Sequence, residues 1–213
     1  VKFASELPGT QYVDHSNIFD ILDFLNSGGR MEQLNAELSK TNSLYAIKDI
    51  TNDGIPDLVV VSGLAFQSIN ILWCQNGKYA VFPKDITEGE TLGSDIVVFE
   101  LHDLNQNSIP EILSIGSGRA WLNVNLLEWN GKTFVDLTLS STQLNASMTG
   151  AGIDDLELAD PDKNGISEMV IKGRPLWWYY PGEPLRRQLD MYSWNGKTFS
   201  SSTRFDFPQY RFQ

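Results

Sequence analysis

Cysteine is almost missing from this chain: 213 residues carry one, Cys74, so no internal disulfide can form and metal sites built on cysteine pairs are excluded. Its place in the apolar run ILWCQNG reads as a small strand residue. Histidine is scarce too, with only His15 and His102, which removes the clusters that zinc sites and imidazole-based catalysis draw on. Cations are outnumbered, 16 Lys and Arg against 27 Asp and Glu. The formal charge of −11 repels phosphate backbones and anionic headgroups, so nucleic acid is not an expected partner. No apolar run reaches the roughly 20 residues that a spanning helix needs, and no membrane insertion is expected. The chain opens on Val1 without a basic-then-apolar leader, which reads as a trimmed or processed beginning. Nucleophile elbows, glycine-rich phosphate loops and paired-histidine zinc motifs are absent as well, which leans against an enzyme.

What is present is a repeat. DITNDGIPDLVVV begins at residue 49, DLNQNSIPEILSI at 103 and DPDKNGISEMVIK at 160. Apolar residues two and four positions before each first Asp (Ile47 and Tyr45, Leu101 and Phe99, Leu158 and Leu156) follow the period of two that marks a strand. A second signature follows each copy: NGKYAVF at 76, NGKTFVD at 130 and NGKTFSS at 195. Asn-Gly between apolar runs predicts a hairpin with a type I′ turn. Each unit therefore reads strand, acidic loop, strand, connection, strand, NG turn, strand. The span from first Asp to Asn-Gly is 27, 27 and 35 residues, which places an eight-residue insertion in the third unit, within GRPLWWYYPGEPLRRQL. The units run over about 44–90, 95–140 and 152–205. Residues 1–43 differ, with apolar residues at 18, 19, 21, 22, 24 and 25, Ser16 as a cap and Gly28-Gly29 as a stop. They predict a helical N-terminal cap over one end of the array, with 44–213 as the β-repeat domain.

Counted from the first Asp, positions 1, 3, 5 and 9 of the loops are Asp49, Thr51, Asp53 and Asp57; Asp103, Asn105, Asn107 and Glu111; and Asp160, Asp162, Asn164 and Glu168. Alternate residues of a tight loop can turn their oxygens inward. The position 7 carbonyls of Ile55, Ile109 and Ile166 can add another. An all-oxygen set on a flexible loop suits Ca²⁺, and no soft ligand is offered. An EF-hand opens similarly but needs Glu at position 12, where this chain has Val60, Ser114 and Ile171, and helices where it has strands. The first and third loops carry three carboxylates and a Gly at position 6; the second has two, with Ser108 there, so it ranks lowest.

The pattern D-x-[DTN]-x-[DN]-G-x-x-[DE] before an apolar strand resembles the calcium loops of FG-GAP/VCBS-type repeats, the integrin-α-like β-propeller repeats. The resemblance spans roughly residues 44–205. It implies a mainly β, propeller-like array of three four-stranded antiparallel units in which Ca²⁺ is structural. Propellers of that family usually close with about seven blades. This chain either stays an open array, hides weaker units, or self-associates to complete the sheet succession.

The connections between second and third strands carry Phe66, Arg119, Trp121, Arg174, Trp177, Trp178, Tyr179 and Tyr180, joined by Arg186 and Arg187. Aromatic planes beside guanidinium groups suit a glycan or a protein ligand. Three readings remain: an extracellular or cell-surface calcium-binding module, a carbohydrate-active enzyme or its accessory domain on a polysaccharide-lyase-like propeller, and a plain structural spacer.

Overall fold

The structure, a computed structural model, describes residues 15–41, 43–62, 68–83, 95–117, 122–138, 153–173 and 186–208. Two helices, α1 (His15–Asn26) and α2 (Met31–Leu38), precede twelve strands. Sheet one holds β1 (Tyr45–Lys48), β2 (Asp57–Ser62), β3 (Ser68–Gln75) and β4 (Lys78–Val81). Sheet two holds β5 (Asp95–His102), β6 (Glu111–Ser117), β7 (Leu122–Trp129) and β8 (Phe134–Asp136). Sheet three holds β9 (Ile153–Ala159), β10 (Glu168–Gly173), β11 (Arg186–Trp194) and β12 (Phe199–Pro208). Every sheet is an antiparallel meander in chain order, so the four-stranded units expected from the repeat are present, and none closes into a barrel.

Strand alternation decides how the layers stack, because successive side chains point to opposite faces. In sheet one, Leu58 and Leu72 face each other across the β2–β3 pair and join Val60 on the side of the helices. Their neighbours Val59 with Ile71, and Val61 with Ile69, point the other way, onto Ile112, Leu127, Trp129 and Phe134 of sheet two. The opposite face of sheet two sends Leu113, Val124 and Leu126 against Met169, Tyr192 and Phe199 of sheet three. The order of layers is thus helices, sheet one, sheet two, sheet three. A backbone bond from Phe199 N–H to the Leu137 carbonyl, 2.8 Å, joins the last two. Each fully buried Leu in these layers is worth roughly 1.5–3 kcal/mol of transfer free energy. Between sheets one and two the ring centroids of Trp73, Phe82, Trp129 and Phe134 lie 5.1–5.8 Å apart in tilted and edge-to-face pairs.

Helix α1 seats Ile18, Ile21 and Leu25 on sheet one, and α2 adds Met31, Leu34 and Leu38. Phe19, apolar in the sequence pattern, is 68% exposed, since a 3.6-residue period carries position 19 away from the face shared by 18, 21 and 25. Ser16 lies within the described span of α1 rather than capping it. The stop at Gly28-Gly29 is a Schellman motif: Gly28 has φ +97°, its N–H meets the Leu25 carbonyl, and Gly29 N–H meets that of Phe24.

The three NG signatures do not fold alike. Asn76 and Gly77 both have positive φ (53° and 75°), as a type I′ turn requires, and β4 starts at the next residue. At 130 and 195 only the glycine is left-handed, and the turn widens to four residues, NGKT. There the Asn side chain accepts from two backbone N–H groups, Lys132 and Thr133 in one case and Lys197 and Thr198 in the other, and that local bonding replaces the tighter turn.

Candidate metal centres

The acidic loops join first to second strand in every sheet. In an antiparallel meander that places them at the same end as the NG turns, opposite the end where each second strand finishes and each third strand begins. Phe66, Arg119, Trp121, Arg174, Trp177, Trp178, Tyr179 and Tyr180, named from the sequence for ligand contact, lie outside the described residues.

The loops share one backbone design. Position 6 is left-handed in all three, at Gly54 (φ 85°), Ser108 (φ 71°) and Gly165 (φ 91°). So is position 4, at Asn52 (57°), Gln106 (59°) and Lys163 (58°), a feature the sequence pattern did not single out because these three residue types share no signature. Two left-handed residues two apart coil the chain so that the first Asp collects backbone N–H groups. Asp49 accepts from Asp53 (3.2 Å) and Gly54 (2.8 Å), Asp103 from Ser108 (3.0 Å), and Asp160 from Asn164 (3.0 Å) and Gly165 (2.9 Å). Position 5 then accepts from the N–H of position 7: Asp53 from Ile55, Asn107 from Ile109, Asn164 from Ile166, at 2.6–2.8 Å.

Position 9 opens the second strand and is buried each time: Asp57 and Glu111 are 0% exposed and Glu168 is 2% exposed. Asp57 Oδ2 accepts from the N–H of Ile50 (3.0 Å), the N–H of Thr51 (3.1 Å) and the Thr51 hydroxyl (3.0 Å). Thr51 thus spends its proton on Asp57. Glu111 Oε2 accepts from Leu104 N–H at 2.7 Å. The remaining oxygens, Asp57 Oδ1, Glu111 Oε1 and Glu168 Oε2, are buried without a hydrogen-bond partner. Burial pushes the Asp57 carboxyl up to about 6 and that of Glu111 to about 7; Glu168 is raised for the same reason, with Asp162 adding to it. An orphaned, desolvated carboxylate oxygen is costly, and a hard cation is one group whose chemistry would satisfy it.

The loops differ in how far their carboxylates converge. Asp160, Asp162 and Glu168 bring one oxygen each within 4.8 Å of the others, the one such group of three among the described residues. Asp49, Asp53 and Asp57 surround the first loop with Asp57 turned toward the backbone. In the second, Asn105 Oδ1 accepts from Asn107 N–H (3.1 Å), while the amide nitrogens of both asparagines donate to Glu128 Oε2 of β7, at 2.5 and 2.7 Å. Glu128 was not among the residues picked from sequence; a lone carboxylate in the apolar run VNLLEW was its only signal. The second and third loops touch, since Ser167 N–H reaches the Leu104 carbonyl at 3.3 Å. His102, at the end of β5, pairs with Glu100 at 2.5 Å. Comparison with protein-family models, with curated proteins and with solved structures finds no match for this chain.

Proposed function

We propose that this chain is a calcium-dependent β-repeat binding module of the FG-GAP/VCBS type, with its three sheets as consecutive blades of a propeller-like array. The observation that carries the reading is a coincidence repeated three times: a coiled acidic loop ends on a buried carboxylate, and one oxygen of that carboxylate has no partner. Ca²⁺ takes six to eight oxygens at roughly 2.3–2.6 Å, and the side chains at positions 1, 3, 5 and 9 with the carbonyl at position 7 are of that chemistry. The ion would hold the loop against the repulsion of its own carboxylates, a structural task. Sites of modest charge suit the roughly 0.1–1 mM affinities of extracellular modules, in line with an extracellular or cell-surface setting. Recognition of a glycan or protein falls, on this reading, to the aromatic and arginine-bearing stretches of sequence between second and third strands.

The test is thermal unfolding in calcium and in chelator, on the parent and on Asp49→Ala and Asp160→Ala. The parent midpoint should rise with calcium, and each variant should lose part of the rise. A parent midpoint that ignores calcium would leave the loops as turns and end the proposal.

A further inference from the structure

Sheet one ends on β4, which among the described residues pairs with β3 alone. In an antiparallel ladder bonded and unbonded pairs alternate, and the bond from Phe82 N–H to the Ile71 carbonyl, 2.7 Å, sets the phase. Ala80, opposite Trp73, turns its N–H and C=O toward β3, while Tyr79 and Val81 turn theirs outward. That outward row is a template for another strand. Its first position is already taken. Asn26, the last residue of α1, accepts from Tyr79 N–H with Oδ1 at 2.8 Å and donates from Nδ2 to the Tyr79 carbonyl at 2.9 Å. One side-chain amide thus makes the two bonds that a residue of a fifth antiparallel strand would make. The helix itself has no need of this contact: the carbonyls of Asp23, Phe24 and Leu25 are met by the N–H groups of Ser27, Gly29 and Gly28, so the helix end is closed without the Asn26 side chain. Leu25, buried against sheet one, holds Asn26 at the strand. Lys78, exposed at the start of β4, adds a charge to the same edge, a further device against pairing.

We propose that Asn26 is an edge guard: it occupies the β4 edge of sheet one, and without it that edge pairs with a second copy of this chain. The strand alternation names the occupant. Two β4 edges laid antiparallel about a twofold axis through Ala80 set Tyr79 of each copy opposite Val81 of the other, and both residues carry outward N–H and C=O groups. The row is therefore complementary to itself. This inference stands apart from the calcium reading, because neither Asn26 nor the outward row of β4 belongs to an acidic loop.

The experiment is analytical ultracentrifugation of the full chain in chelator over a wide range of concentration, comparing parent, Asn26→Ala and Leu126→Ala, with amide exchange at Tyr79 read on dilute parent and Asn26→Ala. Asn26 is exposed, so its truncation leaves the core intact. Leu126 is fully buried between sheets two and three, and its truncation costs stability without touching α1 or β4. The expected result is a dimer that grows with concentration in Asn26→Ala, bound about tenfold or more tighter than any association of the parent, and Tyr79 N–H exchange faster by roughly tenfold. Leu126→Ala should sediment as the parent does. An Asn26→Ala variant that sediments as the parent at every concentration would overturn the proposal. So would equal association of Leu126→Ala, since lost stability rather than an opened edge would then be the cause. Unchanged exchange at Tyr79 would overturn it as well, because the Asn26 amide would not be what holds that edge.

Discussion

Replacing Asp57 by Asn separates the two things this side chain does. Asn keeps an oxygen for the N–H groups of Ile50 and Thr51, but it carries no charge and sets an NH₂ where the unpartnered oxygen lies. Without calcium at pH 8 the parent holds a desolvated carboxylate whose pKa burial pushes from 3.8 to about 6. At 1.36 kcal/mol per unit, and discounted for solvent at the loop mouth, that charge costs the folded state on the order of 1–2 kcal/mol. Asn removes this cost but leaves a buried donor unsatisfied, worth roughly 1–3 kcal/mol against it. The two nearly cancel, so in chelator the variant should lie within about 1 kcal/mol of the parent. In calcium the comparison changes. A site that binds only the folded state adds about 2.7 kcal/mol at a hundredfold excess over its dissociation constant, and the variant forfeits most of it. For a chain of this length that is a gap of roughly 5–11 °C between the two midpoints in calcium. The assay is thermal unfolding at pH 8, backed by urea unfolding for the free energies, with excess calcium and again with chelator. An equal deficit in both media would refute the reasoning, because Asp57 would then be a cap for the Ile50–Thr51 turn and nothing more.

Burial of the position 9 carboxylates also sets the response to pH. Asp57 and Glu111 bind protons more tightly folded than unfolded, so in chelator their contribution favours folding most below about pH 4 and is lost as pH rises through 6 to 7. On the proposed calcium reading the ion would take the proton's place and flatten that decline; a chelated protein more stable at pH 8 than at pH 5, by urea midpoint, would contradict the pH dependence. Leu72→Ala opens a cavity under the helices, where Leu72 meets Leu58 across the strand pair and both are fully buried, and should cost about 2–5 kcal/mol with or without calcium. A loss below about 1 kcal/mol would show that α1 and α2 do not seal that face. Ser108→Gly relieves a side chain held at φ 71° and should raise the calcium-free midpoint by a degree or two; a fall would mean the Ser side chain matters more than the backbone conformation.

Much of this protein was legible along the chain because its signals are local. Alternating apolar residues around each Asp, with an NG pair downstream, named twelve strands in three sets, and the sets form the three sheets. The apolar spacing of α1 named the helix but not its seated face, and so counted Phe19 with Ile18 and Ile21; a face exists only once there is a sheet to bury it. Likewise Asn-Gly named three hairpins, while the choice between a two-residue and a four-residue turn fell to whether the asparagine side chain took over two backbone N–H groups, as it does at Asn130 and Asn195. Oxygen-bearing residues at positions 1, 3, 5 and 9 were visible as a spacing. That position 9 would be buried with an oxygen left over was not, because burial is conferred by the neighbouring layers. Glu128 makes the distinction sharpest. Twenty-three residues separate it from Asn105, whose amide donates to it, and nothing local relates the two. Sequence alone determined the repeated strand, loop and turn, since each depends on residues within a few positions; only the folded sheet, which lays β7 beside β6 and β6 beside β5, decided that Glu128 reaches the asparagines of the second loop.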